Sequence, residues 1–501
     1  MHARMLKNVT ALTLLAALAT TLPLSAQDNP NRQPRHHQYK LYDVGTFGGP
    51  NSYGSSDAIS LTPAGAVGLA ETAVPDPFYP NCFQDCVVGH AFLWRNGVVT
   101  DLGALPGNNG ENSGYAFAIN NNGLVAGISE NGSTDPATGY PEVNAVVWRN
   151  GNIINLGTFG GTQSEAFMLN DRGQVVGSAS NTIPDPFSFG TYFPAATQTH
   201  AFLWEAGVKQ DLGTLGGPDS KATLINERGQ VAGWSYTSYT PNPNTGVPTI
   251  DPFLWEKSKM IDLGTLGGTA GFAQWVNNKG QVVGQSNVAG DQSYHGFLWD
   301  HGVLTDLGTL GGTFSTALWI NEAGVIAGVA GVLGDTAFPA VLWVHGQIMD
   351  LGTLPGDNLG NATSINSAQQ VVGLSCLLPC SDQRKDRAFL WENGRPIVNL
   401  NSLVEPPSDI VVTLPWEIDE RGVIVANAAL PNGDIHAVVL VPDGDCDDDC
   451  EKRIAESQNR RAAQPASTGA TPPVLGRPAD WLRNRLGKHF PMPARPAAPS
   501  N

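Results

Sequence analysis

Apolar residues along this chain come in runs of four or five, rich in Val, Ile, Leu, Ala and Trp, and Asn, Asp and Gly punctuate them. HAFLW at 90–94 and 200–204, LINERGQVAG at 224–233 and VLTDLG at 303–308 are typical. None of these runs has a helical period, and their β-branched and aromatic content suits half-buried strands. The pattern predicts an all-β chain.

The runs recur in a fixed order. A strand ending in Trp (HAFLW and its relatives, ending at Trp94, Trp148, Trp204, Trp255, Trp299, Trp343 and Trp391) leads through a tight turn to a strand ending in DLG. A glycine-rich loop follows, then a strand ending in Asn, a second tight turn and a valine-rich QVVG strand. DLGTLGG stands at 211–217, 262–268 and 306–312, with variants at 43–49, 101–107, 155–161 and 350–356 and a worn form, NLNSL, at 399–403. Successive copies start 58, 54, 56, 51, 44, 44 and 49 residues apart, a period that holds four short strands with their turns.

The turns explain themselves. Asn96-Gly97 and Asn393-Gly394 tolerate the positive φ of a hairpin turn, and Asn170, Asn226 and Asn321 can bond back to their own turn backbone. In a four-stranded meander both tight turns lie on one face. The glycine-rich loops and the segments of variable length between QVVG and HAFLW lie on the other, where a site is expected. The chain begins and ends inside a repeat, so pairing the first strand with the last closes a ring without exposed edges. The expectation is a β-propeller of eight four-stranded blades over 41–442, or seven if one unit has degenerated.

Beyond the repeats, residues 1–26 read as a secretory signal peptide: Arg4 and Lys7, an apolar run, then Leu24-Ser25-Ala26. Residues 27–40 are expected to be a disordered N-terminal segment, 443–456 an acidic cysteine-containing segment, and 457–501 a Pro/Ala/Arg-rich disordered tail in which 481–490 has basic amphipathic character. Residues 27–450 carry 17 Lys and Arg against 42 Asp and Glu, a net charge of −25, which argues against nucleic acid and anionic membranes as partners. Six cysteines form three equally spaced pairs, Cys82/Cys86, Cys376/Cys380 and Cys446/Cys450, which in an exported chain read as disulfides. The localisation expected is secreted, extracellular or periplasmic, and no further apolar run is long enough for a transmembrane segment.

HAFLW, DLGTLGG and INxxGQVVG, linked in this order over residues 41–441, resemble the HAF-repeat family of bacterial extracellular proteins. The resemblance implies an exported repeat protein and brings no cofactor or catalytic residue with it. Gln369 at a turn glycine, Leu440 at the Trp position and the worn copy at Asn399 depart from the pattern.

Candidate chemistry is sparse. His90, His200 and His436 share one repeat position and Asp211, Asp262 and Asp306 another; groups repeated in every blade are most simply structural. No hydrolase elbow, zinc motif or phosphate loop is present, so no catalytic or metal-binding residue is assigned. The irregular aromatics lie in the variable segments: Phe78, Tyr79 and Phe83, and Phe187, Phe189, Tyr192 and Phe193, each group following a PDPF motif (75–78 and 184–187). Exposed there, they would form a ligand-binding face. The functional expectation is a noncatalytic binding or scaffold propeller, monomeric, for a glycan or cell-surface protein. The alternative is a secreted hydrolase or lyase acting on glycans at the same face. No cofactor is expected; calcium on Asp443, Asp445, Asp447, Asp448 and Asp449 is the weaker alternative to a solvated acidic turn.

Overall fold

The computed structural model of the protein describes residues 36–55, 58–82, 85–107, 112–243, 245–380, 383–392, 394–446, 450 and 452–455. The signal peptide, most of the N-terminal segment, Phe83, Asp447 to Asp449 and the tail at 457–501 lie outside these residues.

Within them the chain forms eight antiparallel blades. Each blade's innermost strand is the one that leads to Asn or its substitute, in blade one by way of the short strand Leu61–Thr62: Gly48–Gly54, Gly114–Ile119, Ser164–Leu169, Ser220–Ile225, Gly267–Val276, Gly311–Ile320, Leu359–Ile365 and Val411–Ile418. The QVVG strand follows, then HAFLW, and the DLG strand is outermost. Burial tracks this order. Ser164–Leu169 is buried at every residue, whereas Val208–Asp211 is exposed at three of four. Consecutive blades touch through their inner strands.

A bulge in each inner strand sets one glycine requirement. At Gly177 a Cβ would lie 1.8 Å from the Glu165 carbonyl oxygen, and at Gly233 1.9 Å from that of Lys221. The glycine of QVVG therefore allows the two strands to approach across the bulge.

The eighth blade joins both ends of the chain. His37–Asp43 pairs antiparallel with Ile435–Asp445, from His37 opposite Asp445 to Asp43 opposite Val438. The strand thus starts four residues earlier than position 41, because its N-terminal half completes the edge of the last blade. Blades eight and one then bond directly: Ile435 N donates to Asn51 Oδ1 and Ala437 N to Ser52 Oγ, each at 3.0 Å. The ring also extends past 442. Cys446 and Cys450 are joined, and Ile454 packs with them against Leu400, Leu403 and Val404. The other two expected disulfides, Cys82–Cys86 and Cys376–Cys380, are formed as well.

The second tight turn does more than reverse the chain. Asn170 Oδ1 accepts from Arg172 N and Gln174 N of its own turn, and Asn170 Nδ2 donates to the carbonyl of Asn226 in the next blade at 3.1 Å. Asn226 does the same to Asn277, Asn277 to Asn321, Asn321 to Asn366, and Asn366 to Asp419. Asp419 caps its turn but has no N–H to pass on, and there Arg421 Nη2 donates to Thr62 O at 3.2 Å. Thr62 Oγ1 donates to Asn120 O, and Asn120 Nδ2 to Asn170 O, so the belt closes on itself after eight turns. In the asparagine turns one amide combines the acceptor the turn needs with the donor the neighbour needs, as the Thr62 hydroxyl does in blade one. Asn226→Asp keeps the cap and removes the donor, leaving a carboxylate oxygen facing Asn277 O and Gln230 Oε1. It should lower stability by about 1–3 kcal/mol in equilibrium denaturation. An unchanged midpoint would show that the belt does not hold the blades.

Candidate functional site

The variable segments and glycine-rich loops share one face, as the strand order requires. In four blades the HAFLW histidine bonds the aspartate of the neighbouring outermost strand. His90–Asp101 and His200–Asp211 meet at 2.9 Å, and His295–Asp306 and His436–Asp43 at 2.8 Å. Each aspartate also accepts the N–H of the glycine two residues on, as Asp211 does from Gly213 at 2.8 Å. Hydrogen bonds from the imidazole hold Asp101, Asp211 and Asp43 below the usual carboxylate range despite partial burial. Three copies fix hairpin ends, and the fourth, His436–Asp43, ties the last strand to the first. They do not assemble one reaction centre.

The repeat tryptophans are packing elements. Trp148 Nε1 donates to Gly103 O and Trp343 Nε1 to Leu307 O, each reaching the preceding blade's outer hairpin, and both rings are almost fully buried.

The loop aromatics do not form the expected face. Among the described ones, Phe189 and Phe193 are buried, Phe78, Phe187 and Tyr192 are half-buried, and Tyr79 is freely exposed. Phe189 stacks on Tyr236 of the next blade at 4.2 Å between ring centroids, and Phe193 on Tyr140 of the previous blade at 5.3 Å. Tyr236 also donates its hydroxyl to Phe187 O. The long loops of neighbouring blades lean on one another, and the aromatic rings fill the seams between them.

Carboxyl pairs that break the repeat lie beside these seams. Asp219, fully buried, accepts from Thr199 N and Phe189 N and sits against Asp185. Burial, with Asp185 beside it, pushes its carboxyl up to about 9. Glu130, fully buried near Asp76, is pushed up to about 8 by burial and by that neighbour. In blade four an aspartate, Asp251, takes the histidine position, and burial next to Asp262 raises it to about 7. These three pairs leave little to attack: Asp219 and Glu130 are closed off, and Asp251 stands at a hairpin end.

The fourth pair is different. Glu71, on the second strand of blade one (Gly65–Pro75), is buried, and Asp85, which is exposed, lies beside it. Asn51 N donates to Glu71 Oε2 at 2.8 Å, Asn51 Nδ2 to Asp85 Oδ2 at 2.9 Å, and the Tyr53 hydroxyl to the same Asp85 oxygen at 3.1 Å. Burial, and Asp85 beside it, raise Glu71 to about 7. One member is thus kept protonated near neutrality while its partner stays open to solvent, the division that acid–base chemistry requires. Tyr192 from the blade-three loop lies close enough to Tyr53 to act on its hydroxyl electrostatically. Sequence reasoning passed over this group. Its signal was a carboxylate at positions 71 and 130, where the corresponding strands carry Ser180, Tyr236 and Asn287.

Asp386 lies within 4.8 Å of the Cys376 and Cys380 sulfurs, but these are joined to each other in the disulfide. Asp443 and Asp445 are exposed at the end of the last strand. No helix among the described residues is long and apolar enough to cross a membrane.

No protein-family model matches the chain, and no curated protein matches it. Solved structures do. The β-propeller domain of the trilobed protease from Pyrococcus furiosus aligns at TM-score 0.41 and 9% identity over 70% of this chain and 97% of that one. Pyrococcus horikoshii acylaminoacyl peptidase aligns at 0.39 and 10% over 77% of this chain and 59% of that one. A puromycin hydrolase S511A mutant complexed with PGG aligns at 0.41 and 13% over 80% and 61%. The chain therefore spans about six-tenths of the acylaminoacyl peptidase and the puromycin hydrolase. Likeness at this level speaks for architecture. The expectation of a noncatalytic binding scaffold is corrected on its premise: the loop aromatics behind it are largely packed into the seams between blades.

Proposed function

We propose that the protein is an exported hydrolase of the HAF-repeat type, with Glu71 and Asp85 as its water-activating pair. The observation that carries the reading is that Asn51 bonds both carboxyls, the buried Glu71 through its N–H and the exposed Asp85 through Nδ2, with the Tyr53 hydroxyl on the same Asp85 oxygen. The Asp85 carboxylate takes a proton from a water molecule as the water oxygen bonds to the substrate's electrophilic carbon. Asp85 then gives that proton to the departing nitrogen or oxygen as the scissile bond breaks, which restores its carboxylate, and the buried Glu71, protonated beside it, keeps the negative charge on Asp85. Glycosidase carboxyls stand about 5–9.5 Å apart. Two carboxyls gathered on one asparagine fit amide or ester carbonyls better than glycosides. Export rests on the signal-peptide pattern of residues 1–26 and suits the three disulfides.

A screen of peptide, ester and glycan substrates on the purified protein tests the reading. Glu71→Gln and Asp85→Asn should each lower kcat by about 10²–10⁴ with little change in melting temperature. Activity should decline above pH 7 as Glu71 loses its proton. Turnover that survives both substitutions, or no turnover in any substrate class, would sink the assignment.

A further inference from the structure

Three polar groups on the inner strands of blades seven, eight and one are buried, and none has a hydrogen-bond partner among the described residues. Asn361, 1% exposed on Leu359–Ile365, leaves both Oδ1 and Nδ2 unpartnered. Trp416 Nε1 on Val411–Ile418 is unpartnered, and so is the hydroxyl of Ser55, 1% exposed just after Gly48–Gly54. They are neighbours in the ring. Thr363, two residues along from Asn361, donates to the carbonyl of Pro415, which precedes Trp416, at 2.8 Å. A Cβ on Gly54 would lie 3.2 Å from Trp416 Cδ1.

The same inner-strand position in other blades shows what a structural polar group looks like there. Glu165 is bonded by Lys221 Nζ and Ser178 Oγ, and the Thr316 hydroxyl by Gln285 Oε1. Around Asn361 the corresponding partners are apolar. Its cross-strand partner is Leu374, and the matching residue in blade eight is Leu414; both belong to a cluster with Val329 on which Trp416 packs. A buried amide with an unfilled acceptor and two unfilled donors costs free energy unless something fills it. Leu318, Thr363 and Trp416 are only half-buried, so solvent reaches the centre of the ring on this side.

We propose that Asn361, Trp416 and Ser55 form a second binding site, at the centre of the ring, for a small uncharged molecule bearing hydroxyl or amide groups. Asn361 Nδ2 and Trp416 Nε1 donate to the ligand's oxygens, Asn361 Oδ1 accepts from its O–H or N–H, and the Ser55 hydroxyl does either. No charged side chain takes part in this set, so an ion would be desolvated there without a counter-charge, which selects for neutral ligands. The site is distinct from the Glu71–Asp85 pair and stands whether or not that pair is catalytic.

The test is a titration of the full-length protein with acetamide, N-acetylglucosamine and glucose, and with the charged counterparts acetate, glucosamine and glucuronate. The indole N–H of Trp416, identified by its disappearance in Trp416→Phe, and the Asn361 side-chain amide are followed by NMR. Neutral probes should shift both signals saturably, charged ones should not, and Asn361→Leu should abolish the response while the protein stays folded. Should Asn361→Leu prove unfolded, Asn361→Asp supplies the second variant, and it should weaken neutral-probe binding at least tenfold. Overturning results are no saturable shift with any probe, which means that the groups hold water only, or equal shifts with charged and neutral probes.

Discussion

Lys221→Met is expected to destabilise the ring by about 3–5 kcal/mol, the usual cost of removing one partner from a buried ion pair. Lys221 and Glu165 lie on the inner strands of blades four and three, 1% and 0% exposed, with Nζ and Oε1 2.6 Å apart. Ser178 Oγ donates to the same oxygen, and the ammonium sits 4.8 Å from the centre of the Phe167 ring. Burial raises the Glu165 carboxyl, and Lys221 is the main influence opposing it. Without the ammonium, Glu165 must either stay charged in an apolar setting or take up a proton. The loss should therefore be larger at pH 8 than at pH 5. The double variant Glu165→Leu/Lys221→Met removes both charges and should recover most of the stability, since well-packed apolar replacements of buried pairs are often neutral or better. Equilibrium guanidinium denaturation of the three variants checks this. A double variant no more stable than Lys221→Met would mean that the cost came from lost packing and not from an orphaned charge.

Much of the fold was legible because each feature recurs. DLGTLGG, INxxGQ and HAFLW placed the strands, their order and the two faces of the ring, and the half-repeats at the ends predicted the closing strand that His37–Asp43 supplies. What stayed hidden depends on contacts between copies. Asn170 reads as a turn residue in one dimension; that its second hydrogen bond belongs to Asn226, 56 residues away, appears only once blades are stacked. The aromatics of the PDPF segments misled for a related reason. Long loops rich in Phe and Tyr look solvent-facing until a neighbouring loop covers them, as Tyr140 and Tyr236 cover Phe193 and Phe189. The Glu71–Asp85 pair was obscured because its members lie on a strand and a loop fourteen positions apart, with no spacing that marks them as a pair.

Stability should fall as pH rises from 5 to 9, and Asp185→Asn should flatten that fall. Asp219 has its folded-state carboxyl raised to about 9, Glu130 to about 8, and Glu417, buried beneath Ser60 and Leu61 with Asp419 near it, to about 8. An unfolded chain lets such groups ionise near pH 4. Between these limits the folded state holds protons that the unfolded state has released. Their contribution is complete below about pH 4 and is lost as pH climbs through the folded values, at about 1.4 kcal/mol per pH unit for each proton so held. His37 and His436, raised by Glu392 and Asp43, act in the same direction near neutrality. Asp185 offers the cleanest intervention. Its Oδ1 accepts from Phe187 N, while no N–H or hydroxyl donor reaches Oδ2, and Asp219 lies beside it. In the asparagine variant Oδ1 keeps the Phe187 bond, and Nδ2 becomes a fixed donor to Asp219 that no longer needs a shared proton. Asp219 can then ionise in the folded state with its three donors satisfied. The variant should match the wild type near pH 5, exceed it at pH 8, and show a pH slope smaller by about one proton. Denaturation midpoints measured across this range decide it: an unchanged slope would mean that the Asp185–Asp219 pair is not where the proton is held.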